Sequence, residues 1–431
     1  MSDAGLPARA AALEILGEVL RKRRPLDAAL DEILPRAALD GRDAGFARAI
    51  ASETLRRFGQ LDALIHAFIA RPPAPHRSGP TLEILLAGAC ELLFLNVPPH
   101  AAVDAANRLA QADGKAVHFK SLINAVLRRL SREGRDILAA QDAARLNTPD
   151  WLWTRWTDAF GENVTRAIAD AHGHQPPVDI VLKDPDSASA PDGERLFGNV
   201  VRLDGASRID ALPGFASGDW WVQDAAATLP ARLLGDMRGR TVFDLCAAPG
   251  GKTMQLAAMG ANVVAVEREP ARLERVRENL ARTGLSATLV QADLRDFHPD
   301  APAPFVLLDA PCTATGTIRR HPDLPWIKSA SDVTLCEQAS SELLDAAANL
   351  VAPGGVLVFA VCSLEPEEGV LQAEAFLDRE PRFTRDPIRP EEVFSMSELI
   401  TAAGDLRTLP CHLAEKGGMD GFYAARFRRN S

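Results

Sequence analysis

From Thr241 onward, short runs rich in β-branched residues alternate with segments of helical periodicity, and no other feature narrows the possible folds as much. The runs are TVFDLCAA, NVVAVE, ATLVQAD, FVLLDAP and VLVFAVCS. Strands separated in this way by helices predict a doubly wound α/β domain, a sheet with helices packed on both faces. In such a sheet ligands bind in the crevice beyond the carboxyl ends of the strands, so the residues that close each run are candidates for a site.

The rest of the chain reads differently. Residues 1–140 are helical throughout, with apolar residues at helical spacing in Ala11–Leu20, Phe46–Ile69, Leu82–Leu95, Ala101–Ala110 and Leu122–Leu130. Pro72, Pro73 and Pro75, then Pro98 and Pro99, punctuate these helices, because proline lacks the backbone donor a continuing helix needs. No fixed-period repeat emerges. Residues 141–225 open with PDWLWTRW (Pro149 to Trp156) and a short amphipathic helix, then pass into Pro-, Gly- and Asp-rich sequence with short apolar runs. A chain of 431 residues exceeds the size of a single hydrophobic core. The expectation is therefore an α+β multidomain protein: an all-α domain over 1–140, a mixed α/β connecting domain over 141–225 and a doubly wound domain over 226–431.

The formal net charge of −10 weighs against a nucleic-acid partner, since phosphate binding draws on Lys and Arg. The charge is uneven, however. Residues 1–130 carry 17 Lys and Arg against 14 Asp and Glu, so the acid excess lies beyond them. A slightly basic helical third supports nucleic acid only weakly, because a charged helical face is more often simply solvated. The opening stretch MSDAGLPARAAALEILGEVL lacks the pattern of a secretory leader, and nowhere do 18 apolar residues run together. A cytoplasmic protein without a membrane partner is expected. The six cysteines, Cys90, Cys246, Cys312, Cys336, Cys362 and Cys411, form no CxxC pair, which disfavours both a disulfide framework and a metal site.

Five sequence features fall at the predicted rim, one at the end of each run. DLCAAPGGKT, residues 244–253, lies where the first strand turns into a helix, and its Pro249-Gly250-Gly251 allows close backbone approach to a ligand. A phosphate-cradling GxxxxGK[ST] loop would need glycine at 246, where Cys246 stands. Glu267 ends the second strand, where a carboxylate in this fold accepts hydrogen bonds from ribose hydroxyls, and Asp293 ends the third, placed to meet an adenine ring. The plain alternatives are a glycine turn that merely joins strand to helix and a surface acid, and the agreement of the three positions tells more than any one of them. Cys312, in DAPCTATGTIRRHPD, and Cys362, in FAVCS, follow the fourth and fifth strands to the same rim. A free cysteine is ordinarily a small buried hydrophobe. Two at one crevice favour chemistry.

DLCAAPGGKT, DAPCTATGTIRRHPD and FAVCSLEPEEG, in this order and spacing, resemble the motifs of the NOL1/NOP2/Sun family of RNA cytosine-5 methyltransferases. The helices containing RAIASETLRRFGQLDALI and LINAVLRRL are similar to the NusB-like RNA-binding domain that precedes the catalytic domain in the bacterial Sun-type 16S rRNA methyltransferases. PDWLWTRW and GDWWVQDAAA also look like that subgroup. The resemblance implies a Rossmann-like catalytic domain that uses S-adenosylmethionine, 16S rRNA as the partner, no metal and a monomer. It implies Cys362 as nucleophile, Cys312 as the cysteine assisting product release, and Asp309 and Lys252 as groups at the cytosine edge or the methionine end of the cofactor. Cofactor contacts implied are Cys246, Ala247, Ala248, Pro249, Gly250, Gly251, Lys252, Glu267, Asp293 and Asp309. Two residues depart from the pattern: Glu267 stands where the family more often has Asp, and Val361 where Thr is more usual.

Carbon 5 of cytosine is too weak a nucleophile to take a methyl group from a sulfonium directly, so a nucleophile must first add at carbon 6. A thiolate suits this, and nearby positive charge raises the thiolate fraction of a thiol whose ordinary pKa is about 8.5. A protonated Asp309, or another donor near N3, would stabilise the charge that spreads through the ring. The target base must be extruded or lie in a loop. Arg128, Arg129, Arg319 and Arg320 are candidates for phosphate contact, against the plain alternative of solvated surface arginines. Two rival readings remain. A DNA cytosine-5 methyltransferase attacks from a PC motif followed by an ENV motif, and no ENV triplet follows Cys312. A non-catalytic RNA-binding ribosome-assembly factor would keep the fold without using the two thiols.

Overall fold

Along Leu6–Lys22 the buried positions Ala8, Ala11, Ala12, Ile15, Leu16 and Val19 recur three and four residues apart. That spacing makes the segment a helix with one face in a core. The structure, a computed structural model, describes residues 5–69, 71–185, 191–205 and 208–431, so the first four residues of the opening stretch lie outside it. The chain divides into two units, Met1–His174 with Ile318–Ser329, and Gln175–Thr317 with Ala330–Ser431. In the first, the helices Leu6–Lys22, Leu26–Arg36, Gly41–Arg56, Phe58–Phe68, Thr81–Leu93, Pro99–Ala112 and Lys120–Ala139 share one core. Thr81–Leu93 is apolar nearly all round and is buried along most of its length, as a central helix must be.

The helix expected over Phe46–Ile69 breaks at Arg57. Periodicity runs through this point, but tertiary contact overrides it. The Gln60 N–H donates to Asn147 Oδ1 at 3.0 Å, capping a new helix. A Cβ on Gly59 would meet the Leu146 carbonyl oxygen at 1.8 Å, so the close approach depends on glycine. Helices also continue past the expected boundary at residue 140, through Asp150–Phe160 and Glu162–His172. An ENV triplet, Glu162-Asn163-Val164, opens the last of these and precedes Cys312 rather than following it.

Ile318–Ser329 also belongs to the helical unit. Leu26 N–H donates to Asp323 Oδ2 at 2.9 Å, Trp326 Nε1 donates to Leu55 O at 2.9 Å, and the Trp326 ring packs on Phe58 with centroids 4.7 Å apart. This corrects the expectation for Arg319. Its side chain is 1% exposed, inside the unit, and Arg56 donates to its carbonyl at 2.8 Å. A buried guanidinium is not presented to a phosphate, whereas Arg320 is half-buried and Arg128 and Arg129 are exposed.

The second unit holds two sheets. In the smaller, β1 (Asp179–Leu182), β2 (Gly193–Phe197), β3 (Val200–Leu203) and β4 (Trp220–Val222) pair antiparallel in the order β2-β3-β1-β4. The segment 141–225 is thus shared between the units, helices in one and a small sheet in the other. The larger sheet contains β5 (Thr241–Leu245), β6 (Asn262–Glu267), β7 (Thr288–Gln291), β8 (Ala303–Asp309), β9 (Val351–Val361), β10 (Phe383–Arg385), β11 (Leu406–Arg407) and β12 (Tyr423–Arg429). Its order is β10-β12-β9-β8-β5-β6-β7, with β11 also on β12.

β5 to β9, the five expected strands, are mutually parallel; β12 runs antiparallel to β9. Alternate residues enter different cores. Val356, Val358 and Ala360 pack with Met254, Val276 and Leu280 on one face, while Leu357, Phe359 and Val361 pack with Leu344, Ala347 and Phe376 on the other. Because β5 has β6 on one side and β8 on the other, the order reverses there, which opens a crevice at the carboxyl ends.

Within the helical unit the buried Arg9 donates to Glu91 Oε2 through Nε at 2.8 Å and Nη2 at 2.6 Å. Breaking such a pair from one side leaves an uncompensated buried charge. Glu91→Leu is expected to destabilise the chain by about 3–5 kcal/mol, and Arg9→Met added to it to recover most of that loss. Denaturant midpoints of the single and double variants check this; equal losses in both would contradict it.

Candidate active site

The turn after β5 is built from residues whose backbones leave the strand sharply. Cys246 has φ 61° and Gly250 φ 101°, both left-handed, and the Ala248–Pro249 peptide is cis. Glycine is the residue that takes this conformation without strain, and a Cβ at 250 would also press on Val276 Cγ1 at 3.2 Å. The Ala247 N–H donates to Val266 O, and Asn279 Nδ2 donates to Pro249 O, so the turn is tied to both neighbouring elements. Gly251 then starts the helix Gly251–Ala258.

Beyond the strand ends lies a cavity of about 270 Å³ lined by Cys246, Val266, Glu267, Arg268, Arg272, Ala292, Asp293, Leu294, Arg295, Pro311, Ala339 and Leu343. Glu267 accepts from Ala248 N–H at 3.3 Å and from Glu269 N–H at 3.0 Å, and Arg272 approaches it at 3.6 Å. These contacts fix the carboxylate at the end of β6. Asp293 accepts from Arg295, whose guanidinium holds the Asp293 carboxyl well below the usual range, at about 2. Burial pushes the Cys246 thiol up to about 12, which suits a wall residue better than a nucleophile.

The ends of β8 and β9 carry the reactive groups. Asp309 lies opposite Ala360 in the parallel ladder, and the two following loops bring Cys312 Sγ and Cys362 Sγ to 3.5 Å. Lys252 Nζ donates to Asp309 Oδ2 at 2.8 Å and stands 5.0 Å from the centre of the Phe422 ring. Burial alone would lower the Lys252 ammonium, but Asp309, with help from Cys362 and Asp244, raises it, so the cation persists. The Cys312 thiol is pushed well up by its hydrogen bond to Cys362 and by burial, and keeps its proton. Behind the pair, Glu368 accepts from Thr313 N–H at 2.8 Å, from Thr313 Oγ1 at 2.6 Å and from Ser363 Oγ. The Gly316 N–H donates to Cys362 O at 3.0 Å.

Comparison with known proteins places this geometry in a lineage. Residues 231–428 match the family described as 16S rRNA methyltransferase RsmB/F, and residues 6–132 match the NusB family. The chain is 35% identical over 395 residues to "Ribosomal RNA small subunit methyltransferase B" of Cronobacter sakazakii, covering 86% of this chain and 90% of that one. The chain belongs to the RsmB/F family. The Escherichia coli protein of the same name is 36% identical over 373 residues, 81% of this chain and 86% of its own.

Among solved structures, the fold of this RsmB/F chain is similar to that of PH0851, with a TM-score of 0.77 and 22% identity across the whole of both chains. It is also similar to NSun6 from Pyrococcus horikoshii with SFG, with a TM-score of 0.55 and 18% identity over 66% of this chain and 98% of that one.

In this RsmB/F chain Cys246, Glu267 and Asp293 share the cavity, while Lys252, Asp309, Cys312 and Cys362 gather at the neighbouring strand ends. Ala247, Ala248, Pro249 and Gly250 form the turn between them. The sequence reading missed Arg272, Pro311 and Leu343 as wall residues, and Glu368 behind the thiols. For Glu368 the only signal was its place in FAVCSLEPEEG, within a run of acids. Arg128 and Arg129 lie on Lys120–Ala139 in the helical unit, where Arg129 pairs with Glu133 at 3.0 Å and caps the Phe68 ring at 4.4 Å. Among the described residues no three His, Cys, Asp or Glu side chains gather as metal ligands would.

Beneath the site, burial pushes the Asp244 carboxyl up to about 7, against the hydrogen bond from Thr253 Oγ1 and the charge of Lys252; Asp309 adds to the rise. An unfolded Asp titrates near about 3.9. Between about pH 4 and about pH 7 the folded chain therefore holds a proton the unfolded chain has lost, and stability falls as pH rises through that window. Asp244→Asn removes this dependence. The variant should gain stability relative to the parent from about pH 5 to about pH 8. Denaturant midpoints at the two pH values measure it, and a constant difference would rule out the raised carboxyl.

Proposed function

We propose that this chain is an S-adenosylmethionine-dependent RNA (cytosine-5)-methyltransferase acting on 16S rRNA through a covalent Cys362–C6 intermediate. The single observation that carries the reading is the pair of sulfurs 3.5 Å apart, beside the ion pair of buried Lys252 with half-buried Asp309 at the strand ends. The family is one of 16S rRNA methyltransferases, and its relatives in Cronobacter sakazakii and Escherichia coli are each a ribosomal RNA small subunit methyltransferase B. The fold neighbour NSun6 was solved with SFG, an analogue of S-adenosylmethionine.

The cavity beyond β5, β6 and β7 fits an adenosine. Glu267 is fixed to receive ribose hydroxyls, and Val266, Leu294, Pro311 and Leu343 offer apolar walls to a base. Cys246 to Lys252 form the turn that would lie along the ligand, with Asp293 toward its adenine edge and Asp309 toward its methionine end. Bound there, S-adenosylmethionine supplies an electrophilic methyl group.

The chain's own residues prepare the acceptor. Cys362 adds to carbon 6 of the cytosine, and the adjacent Lys252 charge favours the thiolate that attacks. As charge spreads through the ring, Lys252, already a donor to Asp309, is the group placed to meet it, so a protonated Asp309 is not required. Cys312 retains its proton and therefore does not compete as nucleophile. Its sulfur is within reach of the Cys362 bond when carbon 5 loses its proton and that bond breaks. Exposed Arg128 and Arg129 on the NusB-like unit, with Arg320, are the proposed phosphate contacts. The substrate would be met in the cytoplasm, and no described helix is long and apolar enough to cross a membrane.

Cys312→Ala should accumulate a protein–RNA adduct that survives a denaturing gel, whereas Cys362→Ala and the double variant should give none. Bisulfite sequencing of rRNA from cells with and without the gene should show one small-subunit cytosine losing its methyl group. Unchanged methylation at every cytosine would instead favour a non-catalytic assembly factor.

A further inference from the structure

The loops bearing Cys312 and Cys362 converge on one carboxylate that touches neither sulfur. Glu368 is completely buried, and it accepts from the residue immediately after each cysteine: from Thr313 through N–H at 2.8 Å and Oγ1 at 2.6 Å, and from Ser363 through Oγ. The Thr313 N–H can only donate and both hydroxyls donate here, so these three bonds favour the ionised carboxylate against burial, which pushes the Glu368 carboxyl up. The surrounding bonds hold the same two loops. Thr315 Oγ1 meets Ser363 Oγ at 3.3 Å and accepts from Leu364 N–H at 3.0 Å, and Glu365 N–H donates to Ser363 Oγ at 3.0 Å. Every side chain in this cluster is buried, so water offers no substitute partner.

We infer that Glu368 is a positioning residue: it fixes the spacing of the two sulfurs and, as a buried negative charge on the Cys312 side, keeps the proton of the pair on Cys312 so that Cys362 is the sulfur free to attack. The inference rests on the two-cysteine reading of the site. The other charges around the pair leave this assignment in place. Lys252 acts on Cys362, its partner Asp309 closes the same strand end, Glu365 neighbours Glu368, and Arg407 donates to Ser363 O at 2.7 Å. Removing the Glu368 charge takes away a repulsion that opposes a thiolate at Cys312. The two thiols then become less distinct.

The test is the pH dependence of iodoacetamide labelling at Cys312 in the full chain, applied in brief pulses and read peptide by peptide by mass spectrometry between about pH 6 and about pH 12, a range wide enough to pass the raised midpoint. The plateau rate reports access to the sulfur, and the midpoint reports the charge around it. Glu368→Gln, which keeps shape and removes charge, should lower the midpoint by about one unit, so that labelling near neutral pH rises about tenfold. Glu368→Asp, which keeps the charge and withdraws it from Thr313 and Ser363, should leave the midpoint in place and raise the plateau. A Glu368→Gln midpoint equal to the parent's overturns the inference. So does a Glu368→Asp variant that moves the midpoint or leaves the plateau unchanged, and this arm decides alone if Glu368→Gln does not fold. Labelling needs neither RNA nor methyl donor, so its outcome is separate from whether rRNA methylation depends on this protein.

Discussion

The parallel pairing of β8 with β9, in which Asp309 lies opposite Ala360, is the contact on which the site depends. Neighbouring strands are only about 4.8 Å apart, so chains that leave them at the same level begin side by side. One loop reaches its cysteine after three residues and the other after two, and the sulfurs meet at 3.5 Å. A slip of one residue in either strand would turn Asp309 or Val361 to the opposite face and carry the loops apart. The loops are closed further on by the Gly316 N–H to Cys362 O bond, and position 316 must lack a side chain because a Cβ there would lie 1.9 Å from Gly421 O.

That geometry makes charge effective. The two thiols are half-buried and the Lys252 ammonium beside them is buried, so its charge is worth more than one on the surface because less solvent screens it. The chain keeps Lys252 charged by surrounding it with acids rather than by exposing it. Asp309 holds the ion pair, and Asp244 lies below with its carboxyl pushed up to about 7 by burial, so near neutral pH it is ionised only about half the time. The segment after β5 thus reaches two places, Cys246 in the cavity wall and the buried Lys252 ammonium against Asp309.

The strand ends were legible in the sequence because two kinds of information agreed there. Runs such as NVVAVE and FVLLDAP are continuous enough to be strands, and the polar residue that ends each must lie at the rim of a doubly wound sheet. Glu267, Asp293, Asp309, Cys312 and Cys362 follow from that rule. β10, β11 and β12 were not legible: two are three residues or fewer, and YAARFRR carries arginines that hide its pairing with β9. The break at Arg57 was hidden because its cause, Asn147, lies far along the chain. Arg319 looked like a surface arginine because sequence cannot show that Ile318–Ser329 packs into the helical core.

A net charge of −10 is compatible with an RNA substrate once distance is considered. At physiological salt, charges more than about 8 Å apart are largely screened, so a phosphate responds to the face it meets and not to the sum over the chain. On Lys120–Ala139 the exposed Arg128, Arg129, Arg132 and Arg135 outnumber the acids Glu133 and Asp136. Arg129 is spent in part on Glu133 and Phe68, but a surface pair of this kind contributes little and is readily exchanged for a phosphate. The acid excess elsewhere then acts as a repulsive background. It weakens nonspecific adhesion to nucleic acid and leaves affinity to the few places where arginines cluster, which is the balance required of an enzyme that must leave its product.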